Sequence, residues 1–558
     1  AERKKGGDVV KRTGYDDLDV ETAICEKVKD GFKEREQGSL VLDGHEYTYA
    51  DKIVLQVAEI VKTHQPLEFI NTHLMRAMNE LGDGFARGDV SLPHLLKSAD
   101  VMKQVMGFLE EYMRVSAGID VHTKIEYKGT IIIGTVYQDV HSIGKDLAKT
   151  LFENYGYRVI DLGVMTPLQS YIDAAKEHKA DAIGMSALLV QTSNHMITVS
   201  KMMVEQGLGH LPVLIGGAPV NDRHAAYVAM AGHEDTDHMR SNVFYCPTAM
   251  DGVNVMNNLK SGAAVDPIFR VNLDKLRQNF EKAEKRAAVE EELLRTLPRR
   301  TVSFEQHAMP DAPWFAPEVV KLDLEAFAPN IDTKTLYALN WKFGGKSSRE
   351  KRGESAEHLG ALLEEWIRRA GQSGWVQPTA VFGVWPCQSD GNEVIVYDPQ
   401  NLGDEIARFG FSLVVGPGRK DTVCAAQYFW PKNSGNYDAI GLQLATSGPQ
   451  VDAQLQCFKD ASDSEAQLYL QGLSDRVAED MADYAHKLLR ERFHLESAHG
   501  VRWSPGYPAM ADTKYNRTIL DLLGAHERVG VTITEAGEFS PTGTTAAVVC
   551  FHPDARYT

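Results

Sequence analysis

The sequence predicts a multidomain protein built from three successive architectures. These are an all-α four-helix bundle at residues 19–116, an α/β domain with a parallel sheet at 117–260, and a mixed α+β domain with an antiparallel sheet at 314–558. Three observations carry this prediction. Apolar residues recur with helical period through the first hundred positions. Short runs that are apolar on both faces then alternate with helical stretches. A charge-rich, proline-punctuated segment at 261–313 reads as a helical and extended linker before the last domain. Residues 1–18 are charged and glycine-containing, a tail or linker.

The elements follow in order. Ile53, Val54, Val57, Ile60 and Val61 share one helical face, and Leu67, Ile70, Leu74, Met75, Met78 and Leu81 continue the period. Ser91-Leu92-Pro93 starts another helix, whose face is Leu95, Leu96, Ala99, Met102, Val105, Met106 and Leu109. The pattern reads as helical throughout 19–115, about four helices with short connections. The period then changes. Thr130–Val136, Tyr157–Leu162, Ala180–Met185 and Pro212–Ile215 are short apolar runs with helical segments between them, as in a parallel sheet covered on both faces. About 130 residues with four or five strands suit a flavodoxin- or Rossmann-like sheet. Residues 273–297 alternate acids and bases at helical spacing, and Pro298, Pro310 and Pro313 follow. Beyond them, helical segments at 358–370, 464–494 and 516–524 sit among strand candidates at 379–384, 393–397 and 546–549.

Composition excludes several classes. Lys plus Arg is 59 against 77 for Asp plus Glu, a net charge of −18, which argues against binding nucleic acid or anionic lipid. An apolar fraction of 43% supports real cores. The 6 cysteines (25, 246, 387, 424, 457 and 550) show no paired spacing, so a reducing, cytoplasmic location is expected. No apolar run is long enough to span a membrane, and the start has no signal-peptide core. The chain begins Ala1-Glu2 without an initiator Met and is expected to be a piece of a longer protein, and a monomer.

One loop carries chemistry. After the first strand of the sheet come Gln138, Asp139, Val140, His141, Ser142, Ile143 and Gly144, opening a helix. Ligands of open α/β sheets sit at the carboxyl ends of strands. A carboxylate two residues before a His can hold one imidazole N–H, fix the tautomer and make the other nitrogen a better metal ligand. Gly144 lets something bulky pass close to the backbone. Ser186-Ala187-Leu188 follows the third strand and Gly216-Gly217 the fourth, so three loops at one sheet edge carry these residues.

The set resembles the cobalamin-binding domain of corrinoid methyltransferases and mutases. The resemblance implies His141 as the lower cobalt ligand, Asp139 as its partner, and Ser186 on the buried nucleotide base, with Gln138, Val140, Ser142, Gly144, Leu188, Gly216, Gly217 and Ala249 lining the cofactor. Thr192 matches a hydroxyl residue that extends the His–Asp relay. Val190 stands where the family has a hydrogen-bonding Thr. The preceding bundle is similar to the cap of cobalamin-dependent methionine synthases. Through Gly82-Asp83-Gly84-Phe85 and Ser91-Leu92-Pro93, that likeness places Phe85 and Leu92 over the methyl-bearing face, and Asn71 where the family has a Glu.

The last domain favours the same family. Arg502-Trp503-Ser504-Pro505-Gly506-Tyr507 resembles the S-adenosylmethionine signature of its reactivation domain, where an Arg can grip a carboxylate. Glu479, Asp332 and Tyr557 match further ligand-binding positions. Thr534-Glu535 and the 552–557 segment resemble its C-terminal strand region, and 381–386 another of its segments. The resemblance implies methylcobalamin and S-adenosylmethionine as cofactors, and methyl transfer from methyltetrahydrofolate to homocysteine. It also implies reductive remethylation of oxidised cofactor, with flavodoxin or a flavoprotein reductase as electron donor. The homocysteine domain, with its zinc, and the folate domain would lie N-terminal to this chain. The 261–313 linker would be a hinge, and Lys346–Arg352 a basic spot for the donor. A stand-alone corrinoid carrier and a cobalamin-responsive regulator are the competing readings. Gly344-Gly345-Lys346-Ser347 is not a phosphate loop, because the first glycine of that motif would fall at Asn340.

Overall fold

The computed structural model describes residues 14–15, 17–117, 127–307, 313–496, 499–534 and 537–556, so most of the predicted tail, Glu535 and Tyr557 lie outside the described residues. The chain forms two compact units. The first contains residues 1–277, 337–362 and 457–469, and the second contains 278–336, 363–456 and 470–558.

The first unit opens with α1 (Val20–Asp30), capped by the Asp19 side chain on the Thr22 N–H and closed by Gly31 at φ +60°. Strands β1 (Arg35–Leu42) and β2 (His45–Asp51) then form an antiparallel hairpin. Helical period did not predict it. Its turn, Asp43-Gly44, holds both residues in the left-handed region, as a two-residue hairpin loop requires. The Asp-Gly pair between Leu40-Val41-Leu42 and Tyr47-Thr48-Tyr49 was the local signal. Next come α2 (Ile53–Thr63), α3 (Pro66–Phe69) running through a π turn into α4 (Met75–Ala86), and α5 (Leu92–Ala117). With α1 these make the four helical rods expected. Their core includes Ile24, Val57, Leu74, Leu95 and Val105, all fully buried.

The α/β part alternates strictly. Its elements are β3 (Thr130–Thr135), α6 (Ile143–Asn154), β4 (Arg158–Asp161), α7 (Leu168–Glu177), β5 (Ala182–Ser186), α8 (Val190–Ser193), α9 (His195–Glu205), β6 (Val213–Gly216), α10 (Asp222–Met230), β7 (Val243–Tyr245) and α11 (Ala249–Leu259). The five parallel strands lie in the order β4-β3-β5-β6-β7, the flavodoxin-like order. The direction of strand addition reverses between β3 and β5, so the loops after these two strands flank the switch point. Gly134 in β3 is needed for packing. A Cβ there would lie 2.7 Å from both the Thr166 and Tyr171 hydroxyls.

The bundle docks on the C-terminal end of α6. A Cβ on Gly82 would meet the Tyr155 ring at 2.5 Å, and one on Gly156 would meet the Met75 methyl at 2.6 Å. α12 (Asp266–Thr296) is a single 31-residue helix, mostly exposed, as its alternating charges predicted.

In the rest of the chain, β8 (Phe315–Lys321) precedes α13 (Leu324–Phe327), α14 (Thr333–Thr335), α15 (Lys346–Lys351) and α16 (Ala356–Gln372). Then come β9 (Thr379–Asp390), β10 (Glu393–Asp398), β11 (Asn401–Gly410), β12 (Leu413–Val415), β13 (Thr422–Cys424) and β14 (Asp438–Thr446). Last are α17 (Val451–Asp460), α18 (Ser464–Arg492), β15 (Val501–Trp503), α19 (Tyr515–Leu523), α20 (Ala525–Val529), β16 (Thr532–Ile533), β17 (Phe539–Ser540) and β18 (Thr544–Cys550). The second unit's main sheet is antiparallel, in the order β11-β10-β9-β14-β18-β15, with β8 beside the first half of β9. Helix α18 presents Leu470, Leu473, Val477, Met481, Ala485 and Leu489 to the core. Its far face is therefore left for polar work.

Gly134→Ala forces the clash described above and should cost about 1–3 kcal/mol, seen as a lower thermal midpoint by circular dichroism. Gly360→Ala is the matched control. It lies inside α16 with nothing within 4 Å of a new Cβ, and should raise stability by up to about 1 kcal/mol.

Candidate functional site

Two loops meet on one carboxylate. Asp139 is fully buried beyond β3. Its Oδ1 accepts the His141 N–H at 3.1 Å and contacts His141 Nδ1 at 3.3 Å. Its Oδ2 accepts the Leu188 N–H at 2.6 Å and the Thr192 hydroxyl at 2.8 Å. Burial alone would push the Asp139 carboxyl up. The hydrogen bonds from His141, Leu188 and Thr192 outweigh it and hold the group below the ordinary range. Asp139 is thus an anion at neutral pH, which sets a proton on Nδ1 and turns Nε2 into the nitrogen suited to a metal. Behind it, the Thr135 hydroxyl donates to the Asp139 carbonyl at 2.6 Å and accepts the Met165 N–H at 3.1 Å. Gln138 makes the bend into this turn at φ +64°.

The loops are also tied through backbone. The Val136 N–H donates to Ser186 and the Ala187 N–H to Gly216, at 3.1 and 3.3 Å. Gly217 sits at φ +123°, and a Cβ there would fall 1.9 Å from the Ala187 carbonyl, so only glycine fits. Gly144 is exposed opposite Ser186. A Cβ at 144 would stand 3.3 Å from the Ser186 hydroxyl, so its absence keeps the groove beside Ser186 open. Ala249 begins α11, behind a Thr248–Asp251 capping box.

Apolar side chains stand at the rim. Tyr137, Met165, Leu188 and Val190, from the loops after β3, β4 and β5, are all exposed large side chains. Such a cluster around one oriented imidazole suits a wide, flat, largely apolar ring carrying a metal. Val190 brings no hydroxyl to it, whereas Thr192 does reach Asp139.

The cap residues take other places. Leu92 is buried in the bundle core, Phe85 is half-buried against it, and Asn71 is exposed. The Gly82–Phe85 turn belongs to the surface docked at the C-terminal end of α6. His141 precedes the other end, and the 12 residues of α6 separate the ends by about 18 Å.

A second cluster lines the polar face of α18. Arg502, on the edge strand β15, reaches Asp483 at 2.5 Å. Arg476 pairs with Asp480 at 2.8 Å, and Asp480 accepts the Asp332 N–H at 2.8 Å. Burial raises the Asp480 carboxyl against those partners. Tyr507 follows Gly506, which turns at φ +92°, and its phenol is pushed up by burial and by the nearby Glu479 charge. Arg502, Gly506, Tyr507, Glu479 and Asp332 therefore gather around one helix face, although 147 residues separate Asp332 from Glu479 in sequence.

The sequence reading missed Lys145. Its side chain is fully buried, with its ammonium 2.8 Å from both oxygens of Asp161 and 2.5 Å from Asp146. Burial would raise the Asp161 carboxyl, but the Lys145 contacts bring it below the ordinary range. The pair pins the start of α6, and so the His141 loop, to the end of β4. Its only local signal was a Lys directly after the motif glycine.

Comparison with known proteins places segments of the chain in three families. Residues 323–558 match the family described as vitamin B12 dependent methionine synthase, activation domain. Residues 129–237 and 44–110 match two B12 binding domain families. The methionine synthases of Mycobacterium tuberculosis and Mycobacterium leprae are 27% and 28% identical. Each match covers 89% of this chain and 44% of the relative, so the chain spans less than half the length of these relatives. A crystal structure of a MetH reactivation domain bound to AdoHcy aligns with 47% of this chain and 89% of its own, at 23% identity and a TM-score of 0.41. Among the described residues, no helix is long and apolar enough to cross a membrane.

Breaking the buried ion pair should be costly. Lys145→Met leaves Asp161 with only Lys149 and the Gly163 N–H and should destabilise the first unit by about 1–3 kcal/mol, whereas the double change with Asp161→Leu should recover part of that loss. Urea titrations of the single and double variants measure the coupling.

Proposed function

The chain belongs to the cobalamin-dependent methionine synthase family, and from that premise we propose that it is the part of such an enzyme that holds cobalamin and S-adenosylmethionine. The observation that carries this reading is the His141–Asp139–Thr192 chain at the switch point, opening onto an apolar rim. Bound cobalamin supplies a cobalt atom that carries a methyl group between donors and an acceptor. The residues present fit it, with one oriented imidazole, an open groove at Gly144 and Ser186, and no side chain at Gly217.

In this proposal His141 Nε2 would hold the cobalt. Asp139 keeps Nδ1 protonated, which makes Nε2 the better donor. With Nε2 free, the imidazole would be able to take up a proton there, and the buried Asp139 anion would stabilise the imidazolium. Thr192 and the Leu188 N–H keep Asp139 in place through both states. Ser186 and the Gly216-Gly217 turn receive the nucleotide tail, with Gln138, Val140, Ser142, Leu188, Val190 and Ala249 around it. Phe85 and Leu92 are proposed to shield the methyl group when the bundle covers it, and Asn71 to stand beside them.

On the second unit, Arg502 binds the carboxylate of S-adenosylmethionine, and Glu479 and Asp332 face its positive charges. Tyr507 flanks the ligand, and Tyr557 lies outside the described residues. The whole enzyme's reaction is proposed to be methyl transfer from methyltetrahydrofolate to homocysteine. S-adenosylmethionine and an electron from a flavodoxin or flavoprotein reductase would restore oxidised cofactor. The homocysteine and folate domains are proposed to lie elsewhere in the full protein, and the proposed setting is cytoplasmic. A stand-alone corrinoid carrier or a cobalamin-responsive regulator would leave the Arg502–Tyr507 cluster without a use.

The test is the visible spectrum of the cobalamin-loaded chain. Wild type should show an imidazole-ligated corrinoid and His141→Ala should lose that signature, so identical spectra would remove the ligand assignment. Asp139→Asn should weaken cobalamin binding about 10–100-fold. Arg502→Ala should reduce S-adenosylmethionine affinity at least about tenfold by calorimetry, since it removes a charge-assisted contact.

A further inference from the structure

Arg502 is already engaged. Its Nη2 lies 2.5 Å from Asp483 Oδ1, and among the described residues no other ion pair is recorded for it. The two partners differ in exposure. The Arg502 side chain is 19% exposed, held at the edge of the sheet, whereas that of Asp483 is 66% exposed. Arg502 is thus fixed, and Asp483 can swing into water at little cost.

The surroundings make Asp483 the balancing charge. One helical turn on, His486 is buried between Arg490 and Arg502. Burial and those two positive charges push its pKa down to about 3, so its ring is neutral. Arg490 contacts that ring at 3.2 Å. Asp480 is committed to Arg476 and the Asp332 N–H, and Glu479 lies beside Tyr507. Asp483 is therefore the acid in direct contact with Arg502, and its charge also reaches Arg490, as does that of Glu491.

We propose that Asp483 is a specificity-determining residue of the α18 site. Its carboxylate occupies Arg502 and yields it only to a ligand that brings a carboxylate of its own. The inference rests on the reading of this cluster as the S-adenosylmethionine site and adds to it an internal competitor, which sets how far the site prefers carboxylate-bearing over carboxylate-free ligands by lowering its affinity for the former alone. A ligand lacking the carboxylate leaves the Arg502–Asp483 pair intact and gains nothing from Arg502. A ligand carrying one replaces a strained-free, solvent-exposed pair by an equivalent contact, and pays back only the modest free energy of that pair.

Removing the internal competitor should therefore tighten binding of the carboxylate ligand alone. In Asp483→Asn and Asp483→Ser chains, the S-adenosylmethionine dissociation constant measured by calorimetry should fall about two- to fivefold, the range expected for an exposed ion pair. Decarboxylated S-adenosylmethionine, a cation that makes no use of Arg502, should bind neither variant more tightly than wild type. Because Asp483 is largely exposed, both variants should keep the wild-type thermal midpoint, and the two substitutions check each other. Unchanged or weaker S-adenosylmethionine binding in both variants would overturn the inference, as would equal tightening toward the two ligands. If the wild-type chain bound neither ligand, the reading of the site would fall, and the inference with it.

Discussion

Asp139 is the group on which the cofactor-binding half depends. A fully buried carboxylate is tolerable only if nearly every lone pair is used, and here the donors come from two separate loops of the sheet edge. The His141 contacts are local, but the Leu188 N–H and the Thr192 hydroxyl arrive from beyond β5, about fifty residues on. The strand order supplies them, because β3 and β5 are neighbours at the point where the sheet reverses direction. Moving either loop would strand part of a buried charge. The same hydrogen bonds that make the anion affordable also fix the tautomer of His141, so folding and ligand chemistry use one set of contacts.

The ion pairs beside the two candidate sites differ in kind. In the first, Lys145 and Asp161 are paired under the site with almost no access to water, so the pair acts as a fixed pin whose breakage is costly. In the second, the Arg502 partner on α18 is a largely exposed carboxylate. Arg502 and Asp483 meet where solvent screens them, which makes the contact weak and exchangeable. A pin suits a loop that must hold one imidazole in one orientation. An exchangeable pair suits a site whose ligand arrives with its own charges.

The legible parts of the molecule were those written locally. Asp139, His141 and Gly144 lie within six residues, and the apolar runs of β3, β5 and β6 announced a parallel sheet that the structure contains. The hairpin at 35–51 was equally local, in Asp43-Gly44, but lay inside a long helical reading that absorbed it. Lys145 could not be read as a partner of Asp161, because that contact depends on how α6 returns over β4. Asp483 was hidden for a related reason. On a helix of alternating charges, nothing in the sequence says which acid faces the edge strand carrying Arg502.

The docking of the bundle differs in kind from the joining of the loops. At Gly217 the near neighbour is the backbone carbonyl of Ala187, which cannot give way without moving β5 and the loop that holds Asp139. At Gly82 and Gly156 the near neighbours are the end of the Tyr155 ring and the terminal methyl of Met75. Those atoms sit at the far ends of side chains and can turn aside by rotation about single bonds. The loops are therefore locked through main chain, whereas at these two points the bundle and the end of α6 meet through side chains. If Phe85 and Leu92 are to serve the His141 end, the bundle must exchange this seat for another, and the contacts it would give up are of the kind that re-form without disturbing the sheet.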